Sequence, residues 1–250
     1  MAPSPDFQLF TSLRYDPLLA TLPINTESWE TSPSPSSPFY ILPYHRDRML
    51  QAAEHFGWTI AAECIRGPEG FASLLKQLNE AIGHQSTTPL RVRTVLSHDG
   101  TLLVETSPAA EVTQWNLFPT RIPPPKGEGE PKVSPLTGGL CTIEDGESIH
   151  GDPPTQNPWD VLIDTVKTQP SSYTSYKTTC RDTYNDARVH VDIRDFAEKR
   201  EVLIISEKEG EIMEGSLTSV YFWRDGRWVT PAVRSGGNIG TTRRWALEKG

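Results

Sequence analysis

The 250 residues are enough for one large or two small domains, and a hydrophobic content of 36% is enough to build a core. The formal net charge of −8 argues against nonspecific binding to nucleic acid or acidic membranes, because both require a basic protein face. Three cysteines without a CxxC pair, no signal-like N-terminal pattern and no apolar run near the ~18 residues of a membrane span predict a soluble, cytoplasmic protein with reduced thiols and no metal site.

The first 118 residues predict a small α+β domain. Its apolar positions alternate where a strand is expected and recur at helical spacing where helices are expected. The predicted elements are a strand, two amphipathic helices and a β-hairpin, at residues 7–15, 46–56, 71–82 and 91–105. A proline-rich segment, residues 119–158, follows, and we predict an interdomain linker there because proline removes a ladder donor and fixes φ.

The remaining residues, 159–250, predict a second domain that is rich in strands. Short runs of β-branched residues indicate the strands, and an RDGR turn indicates a hairpin. The predicted elements are two strands, two helices and that hairpin, at residues 161–166, 202–206, 182–189, 243–249 and 219–231. Taken with the first domain, this pattern predicts a two-domain α+β protein.

The segment YKTTCRDTYNDAR, residues 176–188, places one lysine, Lys177, at a predicted strand-to-helix junction. A partly desolvated lysine can lose its proton and attack a carbonyl carbon to form a Schiff base. The alternative is an exposed lysine near a helix N-cap, because most lysines are solvated.

The segment EIMEGSLTSV, residues 211–220, contains a carboxylate, Glu214, followed by glycine and small polar residues. Such a carboxylate can pair with a protonated ring nitrogen. The alternative is a glutamate in a surface turn.

The segment SGGNIGTTRRWALEKG, residues 235–250, has three glycines and two threonines before a predicted helix. A helix N-terminus has unpaired N–H groups and positive partial charge, so this pattern can bind a phosphate. The alternative is a loop in which Thr241 or Thr242 caps the helix.

These three segments together match one cofactor. Pyridoxal phosphate requires an amine for its carbonyl, a carboxylate for its pyridine nitrogen and an anchor for its phosphate. The sequence therefore favours a pyridoxal-phosphate enzyme that acts on a small-molecule amine.

With these residues in view, the chain resembles the fold type IV pyridoxal-phosphate family, which includes branched-chain aminotransferases, D-amino acid aminotransferases and 4-amino-4-deoxychorismate lyases. The similar stretches are FQLFTSLRYDP, HRDRMLQAA, YKTTCRD, EIMEGSLTSVYFWRDGRWVTP and SGGNIGTTR. The resemblance implies a small N-terminal α/β sandwich domain, a larger strand-rich cofactor domain and a homodimer.

The resemblance also implies roles for individual residues. Lys177 matches the Schiff-base lysine, Glu214 the partner of the pyridine nitrogen, and Arg48 the phosphate-binding arginine, whose alternative role is a surface ion pair. Thr241 and Thr242 match the phosphate cup, and Gly240 allows its close approach.

Within the family, the lyases of fungi resemble this chain most. Arg181 follows Lys177 by four residues as in aminodeoxychorismate lyases, and Asp182 stands where branched-chain aminotransferases usually have tyrosine. The implied reaction forms 4-aminobenzoate and pyruvate from 4-amino-4-deoxychorismate, a step towards folate. Arg181 and Arg14 are candidates for the substrate carboxylates.

Two alternatives stay open. A transaminase of amino acids or amines would share every cofactor contact. A catalytically impaired protein is the third reading, because the chain ends at Gly250, within the helix after the phosphate loop, whereas family members usually continue. The second domain is therefore expected to be incomplete relative to the family.

Overall fold

A computed structural model describes residues 6–26, 36–83, 86–119, 159–208 and 210–249. These residues belong to two compact units. The first unit comprises Met1–Glu111, Tyr176–Cys180 and Thr241–Glu248, and the second comprises Val112–Ser175, Arg181–Gly240 and the last two residues. Apart from residue 119, the segment predicted as a linker, residues 119–158, lies outside the described residues.

The first unit contains a three-stranded antiparallel sheet in the order β1-β2-β3. Its strands are β1 (Leu9–Tyr15), β2 (Leu90–Leu96) and β3 (Leu102–Pro108). Strands β2 and β3 form a hairpin whose turn contains Gly100 at a φ of +86°, a conformation that glycine adopts without strain. The structure confirms the predicted strand over residues 7–15 and the predicted hairpin over residues 91–105.

Helices cover this sheet. They are α1 (Pro23–Thr26), α2 (Leu42–His55), α3 (Thr59–Ile65), α4 (Gly67–Ile82) and the segment of α8 (Thr241–Lys249) that belongs to this unit, with a 3₁₀ turn at Pro17–Thr21. Helix α2 begins four residues earlier than predicted, because Pro43 lies in its first turn, where the missing N–H costs no helical hydrogen bond.

The core of the first unit lies between β1, β2 and helices α2 to α4. Its largest fully buried side chains include Leu9, Phe39, Leu42, Leu74 and Leu78. In α4, buried residues recur at positions 71, 74 and 78, which is the amphipathic pattern that the sequence predicts. Burial of this apolar stripe contributes to the stability of the unit.

A second chain segment completes the sheet edge at β1. The Phe10 N–H donates to the Lys177 carbonyl at 3.0 Å, and the Thr179 N–H donates to the Gln8 carbonyl at 2.8 Å. Leu9 and Thr178 form an antiparallel bridge between these bonds. The lysine segment therefore lies beside β1 as a short additional strand.

The second unit has its own mixed sheet in the order β4-β5-β6. Strand β4 (Asp160–Ile163) is parallel to β5 (Arg200–Ile205), which is antiparallel to β6 (Ile212–Gly215). Helix α7 (Asp182–His190) packs on β5 and shares with the sheet a core of Tyr184, Ala187, Ile193, Val202, Ile204 and Met213. The remaining elements are α5 (Gln114–Leu117), α6 (Ser172–Ser175), a 3₁₀ turn at Val233–Ser235 and the hairpin of β7 (Phe222–Arg224) and β8 (Arg227–Val229).

No helix among the described residues combines the length and the apolar character that crossing a membrane requires.

The buried stripe of α4 gives a test of this core. Leu78→Ala should lower the free energy of unfolding by about 2–5 kcal/mol, because it removes buried methyl groups and leaves a cavity. Ser73→Ala, at an exposed position of the same helix, should change it by less than about 0.5 kcal/mol. Urea denaturation followed by circular dichroism measures both, and equal effects would show that α4 does not bury this face.

Candidate functional site

Four buried polar residues of the first unit form a connected group, which we call the His45 cluster: Thr11, His45, Arg48 and Thr241. His45 and Arg48 lie one turn apart on α2 and therefore project from the same face. Arg48 Nη2 donates to Thr11 Oγ1 at 2.6 Å, and the same hydroxyl lies 2.6 Å from His45 Nδ1. His45 Nε2 lies 3.3 Å from Thr241 Oγ1. The cluster thus joins β1, α2 and the first residue of α8.

The imidazole of this cluster is neutral at physiological pH. Burial lowers the pKa of His45 well below its usual value, and the positive charges of Arg48 and Lys177 lower it further. The charges that act on His45 are therefore cationic. A buried guanidinium with threonine hydroxyls around it is the donor set of an anion site.

Helix α8 adds backbone donors to this group. Thr241 and Thr242 are its first two residues, and the N–H groups of a first helical turn have no acceptor within the helix and carry positive partial charge. Thr241 is buried and Thr242 is half-buried. The predicted phosphate cup thus begins beside His45.

Side chains of α2 hold α8 in place. The Tyr44 hydroxyl donates to Glu248 Oε2 at 2.5 Å, and burial together with this bond raises the pKa of Tyr44 to about 12. The phenol therefore stays a donor. Arg244 donates to Asp47 Oδ2 at 3.2 Å, and its guanidinium carbon lies 4.7 Å from the centre of the Tyr44 ring.

The backbone of Lys177 is fixed against β1, as described above, and its amine lies over an aromatic ring. Lys177 Nζ is 5.1 Å from the centre of the Phe10 ring, a cation-π distance. The next residue, Thr178, is fully buried.

Glu214, the predicted partner of a ring nitrogen, lies in β6 of the second unit opposite Ile204. Its Oε1 accepts from the Tyr184 hydroxyl at 2.6 Å and from the Asn238 N–H at 2.8 Å. Burial and the charge of Glu214 raise the pKa of Tyr184 well above its usual value, so the phenol remains a donor. Both contacts hold the carboxylate in one orientation.

Gly237 explains how the glycine-rich loop reaches this carboxylate. A Cβ at Gly237 would lie 2.5 Å from the Met213 carbonyl oxygen, so only glycine allows the loop to approach β6 so closely. The next residue, Asn238, can then donate to Glu214. Gly240 N–H donates to the Asn238 carbonyl at 2.9 Å, which closes a tight turn before α8.

A second buried carboxylate organises the loop after Glu214. Glu201 of β5 is 4% exposed. Its two oxygens accept from the backbone N–H groups of Val202, Ser216 and Leu217. They also accept from the hydroxyls of Ser216 and Thr218. A Cβ at Gly215 would lie 2.9 Å from Glu201 Oε2. The small residues after Glu214 therefore fit around Glu201.

The two arginines predicted to bind substrate have different surroundings. Arg181, in the second unit, donates to the Ser216 carbonyl at 2.8 Å, and its guanidinium carbon lies 3.4 Å from the centre of the Tyr184 ring. Arg14, in the first unit, is buried and donates twice to Asp16 Oδ2, at 2.8 and 2.6 Å. Their substrate contacts stay predictions.

The predicted site residues thus fall into two groups. The first unit holds Arg14, Arg48, Lys177, Thr241 and Thr242, and the second holds Arg181, Glu214 and Gly240. Within the described residues, no group of three or more His, Cys, Asp or Glu side chains could hold a metal ion.

Sequence reasoning did not identify His45, Thr11, Tyr184 or Glu201. His45 had a usable signal, since it lies three residues before Arg48 and so on the same helical face. Glu201 also had one, because it is a charged residue inside an apolar, β-branched strand. Thr11 and Tyr184 acquire their contacts only through the fold.

Comparisons with known proteins agree on one family. Residues 30–250 match the family model described as amino-transferase class IV. An aminodeoxychorismate lyase of Saccharomyces cerevisiae is 33% identical over 106 residues, which cover 37% of this chain and 28% of that protein. The chain therefore matches less than a third of the length of this curated relative.

Solved structures share the fold. A Mesorhizobium loti protein assigned as an amino-acid aminotransferase has a TM-score of 0.58 at 20% identity, covering 98% of this chain and 84% of its own. A Thermotoga maritima protein assigned as a branched-chain amino acid aminotransferase has a TM-score of 0.55 at 19% identity. The match covers 97% of this chain and 62% of the Thermotoga protein. A hypothetical aminotransferase of Mycobacterium tuberculosis, solved with α-ketoglutarate and PMP bound, has a TM-score of 0.51 at 13% identity, covering 99% and 73%.

The buried carboxylate of Glu201 gives a direct test of the loop after Glu214. Glu201→Gln should lower the free energy of unfolding by about 1–3 kcal/mol, because its amide donor would face groups that are themselves donors. Glu207→Gln, an exposed position after the same strand, is the matched control and should have almost no effect. Thermal unfolding by calorimetry measures both, and a neutral Glu201→Gln variant would contradict this account of the loop.

Proposed function

Since this chain belongs to the class IV aminotransferase family, we propose that it is a lyase that converts 4-amino-4-deoxychorismate into 4-aminobenzoate and pyruvate with pyridoxal phosphate as cofactor. Membership makes it a pyridoxal-phosphate enzyme with an α+β architecture of fold type IV, either lyase or aminotransferase. The choice of the lyase, a role in folate synthesis, a homodimer and a cytoplasmic location are parts of this proposal.

The residues present fit the cofactor. A phosphate dianion needs cationic and neutral donors, which Arg48, Thr241 and the start of α8 offer. Lys177 offers the amine for the cofactor carbonyl, and Glu214 offers a carboxylate for its pyridine nitrogen. The observation that carries the proposal is the His45 cluster, because it joins a buried guanidinium and the first hydroxyl of a helix in one hydrogen-bonded group.

When bound, pyridoxal phosphate supplies a carbonyl for the substrate amine and a ring that withdraws electrons from the substrate carbon. Lys177 would act as general base and take the proton from the carbon that bears the substrate amine. Glu214 would pair with the protonated pyridine nitrogen, and the Tyr184 hydroxyl and the Asn238 N–H would hold its carboxylate in place. Arg48, Thr241 and Thr242 would hold the phosphate.

Two features support the lyase over a transaminase. The local 33% identity is to an aminodeoxychorismate lyase, and Arg181 follows Lys177 at the lyase spacing. We assign a substrate carboxylate to Arg181 before Arg14, because Asp16 neutralises the buried Arg14. The reaction divides one substrate into pyruvate and an aromatic product, and the gain of aromaticity drives it.

A transaminase is the second candidate. The solved structures that share the fold are assigned as aminotransferases, and a transaminase would use Lys177, Glu214 and Arg48 in the same roles. The two activities differ in what happens to the cofactor. An amine donor converts it to the pyridoxamine form in a transaminase half-reaction, whereas a lyase cycle returns it unchanged.

The amine of Lys177 gives the first test. After incubation with pyridoxal phosphate and reduction with borohydride, mass mapping should find a pyridoxyl group on Lys177 in the wild type and in Lys167→Arg, an exposed control. Lys177→Arg should carry none, because a guanidinium does not form a Schiff base. Labelling that is absent or spread over surface lysines would contradict the cofactor site and favour a catalytically impaired protein.

The second test distinguishes lyase from transaminase. With 4-amino-4-deoxychorismate, the wild type should form 4-aminobenzoate and pyruvate in equal amounts, measured by fluorescence and by a coupled dehydrogenase assay. Arg181→Gln should lower kcat/KM roughly 10- to 100-fold, the value of a charge-assisted hydrogen bond to a carboxylate.

Arg194→Gln is the control, because Arg194 is an exposed arginine paired with Asp192 in the same unit. Its kcat/KM should equal that of the wild type. Accumulation of the pyridoxamine form with amino acid donors, without aromatic product, would identify a transaminase instead.

A further inference from the structure

The contacts of the His45 cluster fix the direction of each hydrogen bond. Arginine has only N–H donors, so the Thr11 hydroxyl oxygen accepts from Arg48. A hydroxyl has one proton, and Thr11 Oγ1 lies 2.6 Å from His45 Nδ1. The oxygen has two lone pairs, so accepting from Arg48 does not by itself decide the bond to His45. Within the described residues, however, His45 Nδ1 is the only acceptor beside this buried hydroxyl, so Thr11 donates its proton to Nδ1.

The direction of the bond from Thr11 determines which nitrogen of the imidazole carries the proton. Burial and the nearby cations Arg48 and Lys177 hold the pKa of His45 low, so the ring is neutral and only one of its nitrogens carries a proton. Because Nδ1 accepts from Thr11, the proton is on Nε2, which then donates to Thr241 Oγ1 at 3.3 Å. The remaining proton of the Thr241 hydroxyl is therefore directed away from His45, towards another acceptor.

We propose that His45 is a positioning residue that makes the Thr241 hydroxyl a donor to the phosphate of the bound cofactor. This inference rests on the proposed function, since it requires the phosphate to bind at the start of α8. His45 itself does not touch the phosphate. Arg48 donates to Thr11, Thr11 donates to His45, and His45 donates to Thr241. Arg48 thus orients the Thr241 hydroxyl through two intervening side chains.

The geometry also separates His45 from a purely structural residue. A histidine that only fills space would affect pyridoxal and pyridoxal phosphate equally, because both share the ring and the carbonyl. A residue that orients a phosphate donor should affect only the phosphorylated ligand. The ratio of the two dissociation constants is therefore the diagnostic quantity.

The variants follow from the two ring nitrogens. His45→Asn places an amide group near Nδ1 and keeps the contact to Thr11 but loses the donor to Thr241, whereas His45→Gln places an amide N–H near Nε2 and keeps that donor. Thr11→Val breaks the sequence of bonds on the other side of His45. His98→Gln, at an exposed histidine in the β2-β3 turn, is the control.

Dissociation constants are measured by absorbance titration with pyridoxal phosphate and with pyridoxal, and thermal unfolding shows that each variant is folded. His45→Asn and Thr11→Val should weaken pyridoxal phosphate roughly 10-fold, as expected for one hydrogen bond to a charged group, and leave pyridoxal unchanged. His45→Gln should restore most of the affinity, and His98→Gln should match the wild type.

A double-mutant cycle tests whether His45 acts through Thr241. In a Thr241→Val background, which has no hydroxyl to orient, His45→Asn should change the affinity for pyridoxal phosphate by less than roughly twofold. Additive losses would overturn the proposal, as would equal weakening of both ligands.

The outcomes also separate this inference from the proposed function. A wild type that binds no pyridoxal phosphate would overturn both. A wild type that binds it, with His45→Asn and Thr11→Val folded and equally tight, would overturn the role of His45 alone and leave the cofactor assignment in place. Should His45→Asn not fold, Thr11→Val is compared with and without Thr241→Val: a loss that acts through His45 disappears in the Thr241→Val background, whereas a loss that acts through Arg48 persists and would overturn the role of His45.

Discussion

The backbone hydrogen bond from the Phe10 N–H to the Lys177 carbonyl is the interaction on which the first unit's site depends. It fixes the lysine segment at the edge of β1, and side chains alternate along a strand. Phe10 therefore projects towards the lysine amine, while Thr11 projects into the buried layer beneath α2. One strand thus carries both the aromatic contact of the proposed catalytic amine and the first hydroxyl of the His45 cluster.

In the second unit, neutral hydrogen-bond donors surround two carboxylates, Glu201 and Glu214. Glu201 accepts only from N–H and hydroxyl groups in its described contacts, and Glu214 accepts from a phenol and a backbone N–H. Neutral donors hold a carboxylate in place without bringing a positive charge beside it. This setting suits the role that we propose for Glu214, the attraction of a protonated ring nitrogen.

Local patterns were sufficient to predict β1, α4, the β2-β3 hairpin and α7. In β1 and α4, buried residues recur with the spacing of a strand and of a helix. Local patterns were insufficient at the start of α2, which lies four residues before the predicted start at residue 46, and at α3, which is short and was not predicted. The candidate site was predictable as a set of residue types, through the lysine, carboxylate and glycine-threonine segments. Their neighbours were not, because the pairing of residues 177–179 with β1 joins positions that are distant in the sequence.

The first unit consists of three separate chain segments, and this affects how it can fold during synthesis. A ribosome releases residues 1–111 long before residues 176–180 and 241–248, so the nascent unit exposes an unpaired edge at β1 and leaves His45 without Thr241. Exposed strand edges promote aggregation. The sheet edge at β1 is therefore covered only after residues 176–180 have left the ribosome, and the His45 cluster is complete only after the start of α8 has followed.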